Sequence, residues 1–236
     1  MKLQWIFFFL FYSFLMNAQT QKEVMDSFKD IDSLYREDQF YLGGTFHLLN
    51  NRPTGISQTS FSGGIHLGFI RDFPINRRRN IGFGLGLGYS SNVYNQDLLI
   101  LPKTSSSGTV FREATAEDNL ESNRFYTHLI EVPIELRWRT STPTSYKFWR
   151  IYAGMKLGYM HYFRSRFVSR EGETFIDKTP DGLDRLRLGT HLSFGWNTFN
   201  FYFYYCLNDL FDETVSIVDQ RGSLEIIKIG LMFYIL

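Results

Sequence analysis

Glu131 and Glu135 stand four residues apart in HLIEVPIELRWR, and carboxylates held close together can divide the work of a general acid and a general base. On a strand that spacing points both side chains the same way but leaves them well apart, so pairing with arginine is the expectation. His47, His66 and His191 are candidates for inward-facing positions, yet neither helical nor short-loop spacing links them as metal ligands. His128 and His161, with the serines and aspartates of nearby loops, have the composition of a hydrolase triad, but no spacing singles out a nucleophile with its base. NIGFGLGLGYSSN sets Gly82, Gly84, Gly86 and Gly88 at alternate positions. A dinucleotide-binding loop needs its last glycine where this stretch has Leu87 or Tyr89. No catalytic residue, cofactor or metal is therefore expected, and the chain is not expected to be an enzyme.

Those residues sit in segments that alternate with period two. The segments are Phe40–Leu49, Phe61–Ile70, Ile81–Tyr89, Phe125–Arg139, Trp149–Phe163, Arg185–Trp196, Phe199–Leu207 and Ile226–Leu236. In the fourth, Tyr126, His128, Ile130, Val132, Ile134, Leu136 and Trp138 form one face, and Thr127, Glu131, Glu135, Arg137 and Arg139 lie on the other. The fifth sets Ile151, Ala153, Met155, Leu157 and Tyr159 against Arg150, Tyr152, Gly154, Lys156, Gly158 and Arg164. A soluble lipocalin-like barrel would turn the apolar face inward, and a membrane barrel would turn it to lipid. Tyr126 and Trp138 bracket the apolar face of the fourth segment, and at ~3.3 Å per residue and a tilt near 45° they span roughly 28 Å, the height of a lipid-facing band. Trp149 and Phe163 are expected to bracket the fifth in the same way.

Connection lengths alternate too. Long connections follow the first, third, fifth and seventh segments, and short ones follow the second, fourth and sixth, ending with Asn197-Thr198. This predicts an all-β, eight-stranded antiparallel up-and-down transmembrane barrel over residues 40–236, with external loops and both termini in the periplasm. The opening MKLQWIFFFLFYSFLMNAQ reads as a signal peptide over residues 1–18, its apolar core being short for a membrane helix and a small residue following it. Residues 19–39 form a periplasmic segment in which Val24, Phe28, Ile31, Leu34 and Tyr35 recur at helical spacing, predicting a short amphipathic helix. Cys206 stands alone, so no internal disulfide staples the fold, and a net charge of +1 gives no electrostatic case for nucleic acid.

The signal ending FLMNAQ, the block FSGGIHLGFIRDFPINRRRNIGFGLGLGYS and the last strand together resemble the outer-membrane β-barrel proteins of Bacteroidetes, labelled PorT-like or porin-family. The architecture is similar to the small OmpA and OmpX barrels. In the last strand Lys228, Gly230, Phe233 and Ile235 are similar to the terminal signal read by the barrel-assembly machinery, although the chain ends on Leu236 where an aromatic is usual. The resemblance implies outer-membrane lipid, that machinery and another envelope protein as partners, with type IX secretion among the family's roles.

Eight strands enclose too little space for a wide pore. Glu131 and Glu135 are expected to face Arg137, Arg139, Arg150, Lys156, Arg185, Arg187 and Lys228 in a structural charge network, with the glycines of the third strand making room for those long side chains. Leu98, Leu99 and Ile100 in the longest loop form either a strand or rim-packed loop above the membrane or an exposed partner patch, and Arg77, Arg78 and Arg79 either a solvated turn or a docking patch. The expected function is a structural or protein-interaction component of the envelope. A narrow solute channel and an outer-rim lipid-modifying enzyme are the alternatives.

Overall fold

The structure, a computed structural model, describes residues 38–235 other than 54, 59, 103–107, 142–146, 213–214, 218–219 and 222–223. The signal peptide, the amphipathic segment from Val24 to Tyr35, and Leu236 lie outside the described residues. Among those described, no helix is long and apolar enough to cross a membrane.

Eight strands close a single antiparallel barrel: β1 (Gln39–Asn50), β2 (Gly63–Pro74), β3 (Ile81–Asn95), β6 (Leu120–Arg139), β7 (Trp149–Ser169), β9 (Leu186–Trp196), β10 (Phe199–Cys206) and β13 (Glu225–Ile235). Each pairs with its barrel neighbours in sequence, and β1 pairs with β13 through a register that runs from Phe40 opposite Ile235 to Asn50 opposite Glu225. A closed sheet leaves no unpaired edge, which is the condition for strands to cross lipid.

Alternation follows directly from the side-chain pattern. Gln39, Tyr41, Thr45 and His47 of β1 point inward and are buried, while Phe40, Leu42, Phe46 and Leu48 are exposed on the outside. Phe40 is 61% exposed, Leu136 63% and Leu186 67%, and a continuous band of such residues belongs in hydrocarbon. Aromatics edge the band. Trp138, Trp149, Trp196 and Phe199 sit at the short-turn end, with Trp149 directly opposite Trp196. Tyr89, Tyr126 and Tyr159 sit toward the long-loop end. At the β9–β10 hairpin the turn is two residues, and Asn197 takes a positive φ of 57°, the geometry such turns require.

Three strands outrun the membrane. β3, β6 and β7 have 15, 20 and 21 residues, against the ~9–11 that a tilted strand needs to cross. Their upper parts join β8 (Thr174–Asp177), which pairs along Ser165–Val168 of β7. With β4 (Leu98–Leu101), β5 (Val110–Glu113) and the small pair β11 (Ser216–Ile217) and β12 (Gln220–Arg221), they build a head at the long-loop end.

One expectation changes here, and one pair of alternatives is decided. A β-bulge places His128 opposite Tyr162 and Leu129 opposite Met160, leaving His161 without a partner in the register. One extra residue reverses the phase of everything beyond it. Phe163 is therefore buried, not part of the outer girdle, and Arg164 lies on the outward face, not in the lumen. Leu98, Leu99 and Ile100 are 0%, 0% and 1% exposed, so they are the core of the head and not a partner patch.

Candidate functional site

The barrel interior buries many ionisable groups, Asp72, Glu131, Glu135, Arg137, Arg139, Arg150 and Lys156 among them, and it divides into tiers. Nearest the short turns, the Asp72 carboxylate receives Arg137 Nη1 at 3.1 Å and Arg139 Nη2 at 2.7 Å. Arg139 Nε donates to the Arg79 carbonyl at 3.0 Å, and Arg137 Nη2 donates to Gln39 Oε1. The Arg137 guanidinium lies 4.2 Å from the centre of the Tyr152 ring, and Arg150 lies 4.5 Å from Phe148 and 5.5 Å from Tyr234. Stacking on aromatic faces lets guanidinium groups stay charged where water is scarce.

In the middle tier the two glutamates serve different partners. Glu131 pairs with Lys156 Nζ at 3.1 Å, accepts from Ser90 Oγ at 2.9 Å and faces His66 Nδ1 at 4.0 Å. Glu135 faces His191 Nε2 at 3.6 Å and Arg137 Nε at 3.8 Å. Lys156 also donates to Tyr202 Oη at 2.9 Å. His47 and His66 each bond through Nε2 to Thr45 Oγ1, at 2.8 and 2.7 Å. The space between Tyr41, Glu135, Lys156 and His191 is a cavity of about 10 Å³, enough for about one water and for no substrate.

Above this, polar chemistry gives way to packing. Lys228 Nζ donates to Asn92 Oδ1 at 3.1 Å and lies 5.1 Å from the Tyr204 ring. Tyr94, Phe125 and Phe163, on the adjacent strands β3, β6 and β7, stack at centroid distances of 4.6 and 5.6 Å. Arg187 is inward and buried, and it donates to the Asn208 carbonyl at 2.8 Å, to the Asp209 carbonyl and to Cys206 Sγ. The cavity beside it, lined by Tyr94, Leu129, Arg187 and Lys228, is again about 10 Å³. Arg185 lies outside the charge network. It sits half-buried just before β9 and donates to the Met160 carbonyl at 3.2 Å, because the strand that would carry it inward starts one residue later.

The glycines of β3 face this interior. A Cβ at Gly84 would stand 2.9 Å from Arg137 Cδ and 3.0 Å from Ile70 Cγ2, and one at Gly88 would meet the Tyr41 hydroxyl. Large side chains from other strands occupy the space those glycines leave.

Asp72 was not legible as the hub. The second segment breaks its apolar run after Ile70, yet the inward phase of His66, Gly68 and Ile70 continues through Asp72, and following that phase would have found it. At the opposite end His128 bonds to Tyr89 Oη at 2.8 Å, and His161 and Tyr162 pack against the His128 ring. Among the described residues no serine is hydrogen-bonded to either histidine. Arg77 and Arg78 are exposed in the β2–β3 turn, and Arg79, half-buried with φ 54°, is held by Arg139. In the last strand Lys228 and Gly230 face inward, whereas Phe233 and Ile235 lie on the lipid side.

Solved structures to which the fold is similar include Ail, the attachment invasion locus protein of Yersinia pestis. In its complex with the heparin analogue sucrose octasulfate it is 13% identical, with 85% of this chain and 99% of that chain covered and a TM-score of 0.41. A second structure of Ail is 14% identical over the same shares, with a TM-score of 0.36. A mutant Rh. blastica porin is 9% identical, with 85% of this chain and 100% of that chain covered and a TM-score of 0.22. Among curated proteins none matches the sequence. The family described as outer membrane protein beta-barrel domain matches residues 17–212, which takes in the first seven barrel strands with the head segments between them. This chain belongs to that outer-membrane β-barrel family.

Proposed function

We propose that the protein is a non-conducting, non-enzymatic outer-membrane anchor that holds a folded head at the cell exterior, in a structural or protein-interaction role within the envelope. One observation carries this: buried side chains among the described residues pack the lumen, two cavities within it measuring about 10 Å³ each, while the same buried cluster runs on through Leu98, Ile100, Leu210 and Phe211 into the long-loop end. A conducting barrel needs a continuous aqueous path. Here Lys156–Glu131 and Arg137–Asp72–Arg139 occupy the place where that path would run.

In this reading residues 1–18 are removed on export, both termini are periplasmic, and the barrel-assembly machinery reads Lys228, Gly230, Phe233 and Ile235. Outer-membrane lipid surrounds the wall, and a second envelope protein meets the head, with a PorT-like place in a type IX secretion-type assembly as its most specific form. Arg77 and Arg78, exposed at the short-turn end, offer a periplasmic surface to the same assembly.

Purified protein in planar bilayers is expected to give no reproducible conductance steps, and regular steps would overturn the sealed-barrel reading. Orientation is tested separately. An impermeant maleimide on intact cells is expected to label Glu173→Cys, in the exposed β7–β8 turn, and to leave Arg77→Cys unlabelled. The native Cys206 is buried and supplies little background.

A further inference from the structure

Past the bulge at His161, β6 and β7 carry three arginines on the outward face. Arg124 stands directly opposite Arg166, and Arg164 stands opposite Tyr126, one outward position nearer the membrane. Directly opposed like charges destabilise a sheet. Among the described residues no carboxylate is paired with them. Their neighbours in the register are Asn95, Tyr126, Ser122, Val168 and Ile176, none of them acidic. Nε of Arg124 and Nε of Arg164 are both shielded from solvent without a hydrogen-bond partner.

The cluster stands just above the tyrosine edge of the lipid-facing band. Below it, on β6, β7 and β9, lies an apolar groove of about 480 Å³ between Ile130, Val132, Leu157, Tyr159, Leu186 and Leu188. To the other side of Tyr126, a groove of about 770 Å³ opens where Gly44 and Gly63 interrupt the bulky wall of Phe46, Ile65 and Leu231. From Ile130, opposite Tyr159, to Tyr126, opposite Arg164, is four residues along β6, about 13 Å at ~3.3 Å per residue. That is the separation between an acyl chain in the groove and a charged headgroup at the membrane surface.

We infer that Arg124, Arg164 and Arg166 grip the phosphate of a phosphorylated outer-leaflet glycolipid whose acyl chains lie in the grooves below. Guanidinium groups bind phosphate oxygens in pairs of parallel hydrogen bonds, and the anion cancels the repulsion between Arg124 and Arg166. The choice of an outer-leaflet lipid rests on the orientation proposed above.

The full-length barrel in detergent, titrated with diphosphoryl lipid A and followed by native mass spectrometry, tests the site independently of orientation. Bound lipid A is expected on the native chain. The triple variant Arg124→Gln/Arg164→Gln/Arg166→Gln is expected to bind at least about tenfold more weakly, since it loses several charge-assisted hydrogen bonds. The corresponding triple lysine variant should keep most of the binding, and Arg77→Gln/Arg78→Gln, at the opposite end, should keep all of it. Heat-modifiable mobility on gels verifies that each variant is folded. Equal lipid A binding by the folded glutamine variant would overturn the inference. So would equal binding of phosphatidylglycerol, or full competition by inorganic pyrophosphate, which would show a general anion site without lipid recognition. Surface labelling of Arg77→Cys on intact cells would instead overturn the orientation while leaving the arginine site standing.

Discussion

The two halves of the barrel interior solve one problem by opposite means. Toward the short turns the space is filled by charge, with Asp72, Glu131 and Glu135 set among Arg137, Arg139, Arg150 and Lys156. Toward the long loops it is filled by the stacked rings of Tyr94, Phe125 and Phe163, which merge into the core of the head. Both halves are buried, so the difference lies in what each must be given. A buried charge is tolerated only when its partner is present, whereas a buried ring needs only a close-fitting neighbour. The charged half therefore has hubs, and the aromatic half has none.

The comparison breaks most completely at the wall both halves share. Gly84→Leu with Gly86→Leu would drive side chains into Arg137, Ile70 and the Phe69 carbonyl, and assembled, heat-modifiable barrel is expected to be absent from the outer membrane. Normal assembly of this double variant would remove the packing role of those glycines.

Next in size is the hub. Asp72→Ala leaves Arg137 and Arg139 close together in a buried interior without that carboxylate, and a loss of about 3–5 kcal/mol in urea-induced unfolding in lipid vesicles is expected. Replacing the hub whole, as Asp72→Leu/Arg137→Met/Arg139→Met, should recover much of that loss. If the triple variant is worse than the single one, charge itself and not its pairing holds this half together.

Phe125→Ala tests the aromatic half. It opens a cavity between Tyr94 and Phe163 and should cost about 3–4 kcal/mol by the same unfolding measurement. No apolar second substitution should restore it unless the lost volume is refilled, in contrast to the hub.

The smallest effect belongs to the head. Arg112 Nη1 donates to Asp118 Oδ2 at 2.7 Å, and this pair, with the Thr115 backbone N–H and hydroxyl, holds the Asp118 carboxyl well below its ordinary value of 3.8. A carboxyl whose folded value is depressed contributes stability that is complete above the ordinary value and is lost as pH falls below it. Arg112 is partly exposed and solvent screens the pair, so Asp118→Asn should cost at most about 1 kcal/mol at neutral pH. The difference between variant and native should vanish in acid. A difference that persists unchanged at low pH would assign the role of Asp118 to its shape and not to its charge.

Much of this architecture is legible in the sequence because a strand exposes its environment every second residue. Ile130, Leu136 and Trp138 against Glu131, Glu135 and Arg137 mark both faces of β6, and the spacing of Tyr126 and Trp138 is what points the apolar one to lipid. Arg185, Phe163 and Arg164 resisted the same reading for one reason. Phase is a cumulative count that a single bulged residue reverses, and Arg185 falls just before the strand whose phase would have carried it inward. Asp72 was missed because polarity at the end of an apolar run reads as a turn, when in a barrel it also reads as lumen.

The sequence by itself determined the barrel: eight alternating segments, the alternation of long and short connections, and a glycine face opposite large side chains. Tertiary structure alone decided which charges meet. Glu131 takes Lys156, Glu135 takes His191, and Asp72 collects Arg137 and Arg139 from a strand more than sixty residues away. It also decided that Leu98 and Ile100 are core and that three arginines share one outward patch. Period two is a local property, written in each strand. Partner choice depends on inter-strand register and closure, which are set only when the last strand meets the first.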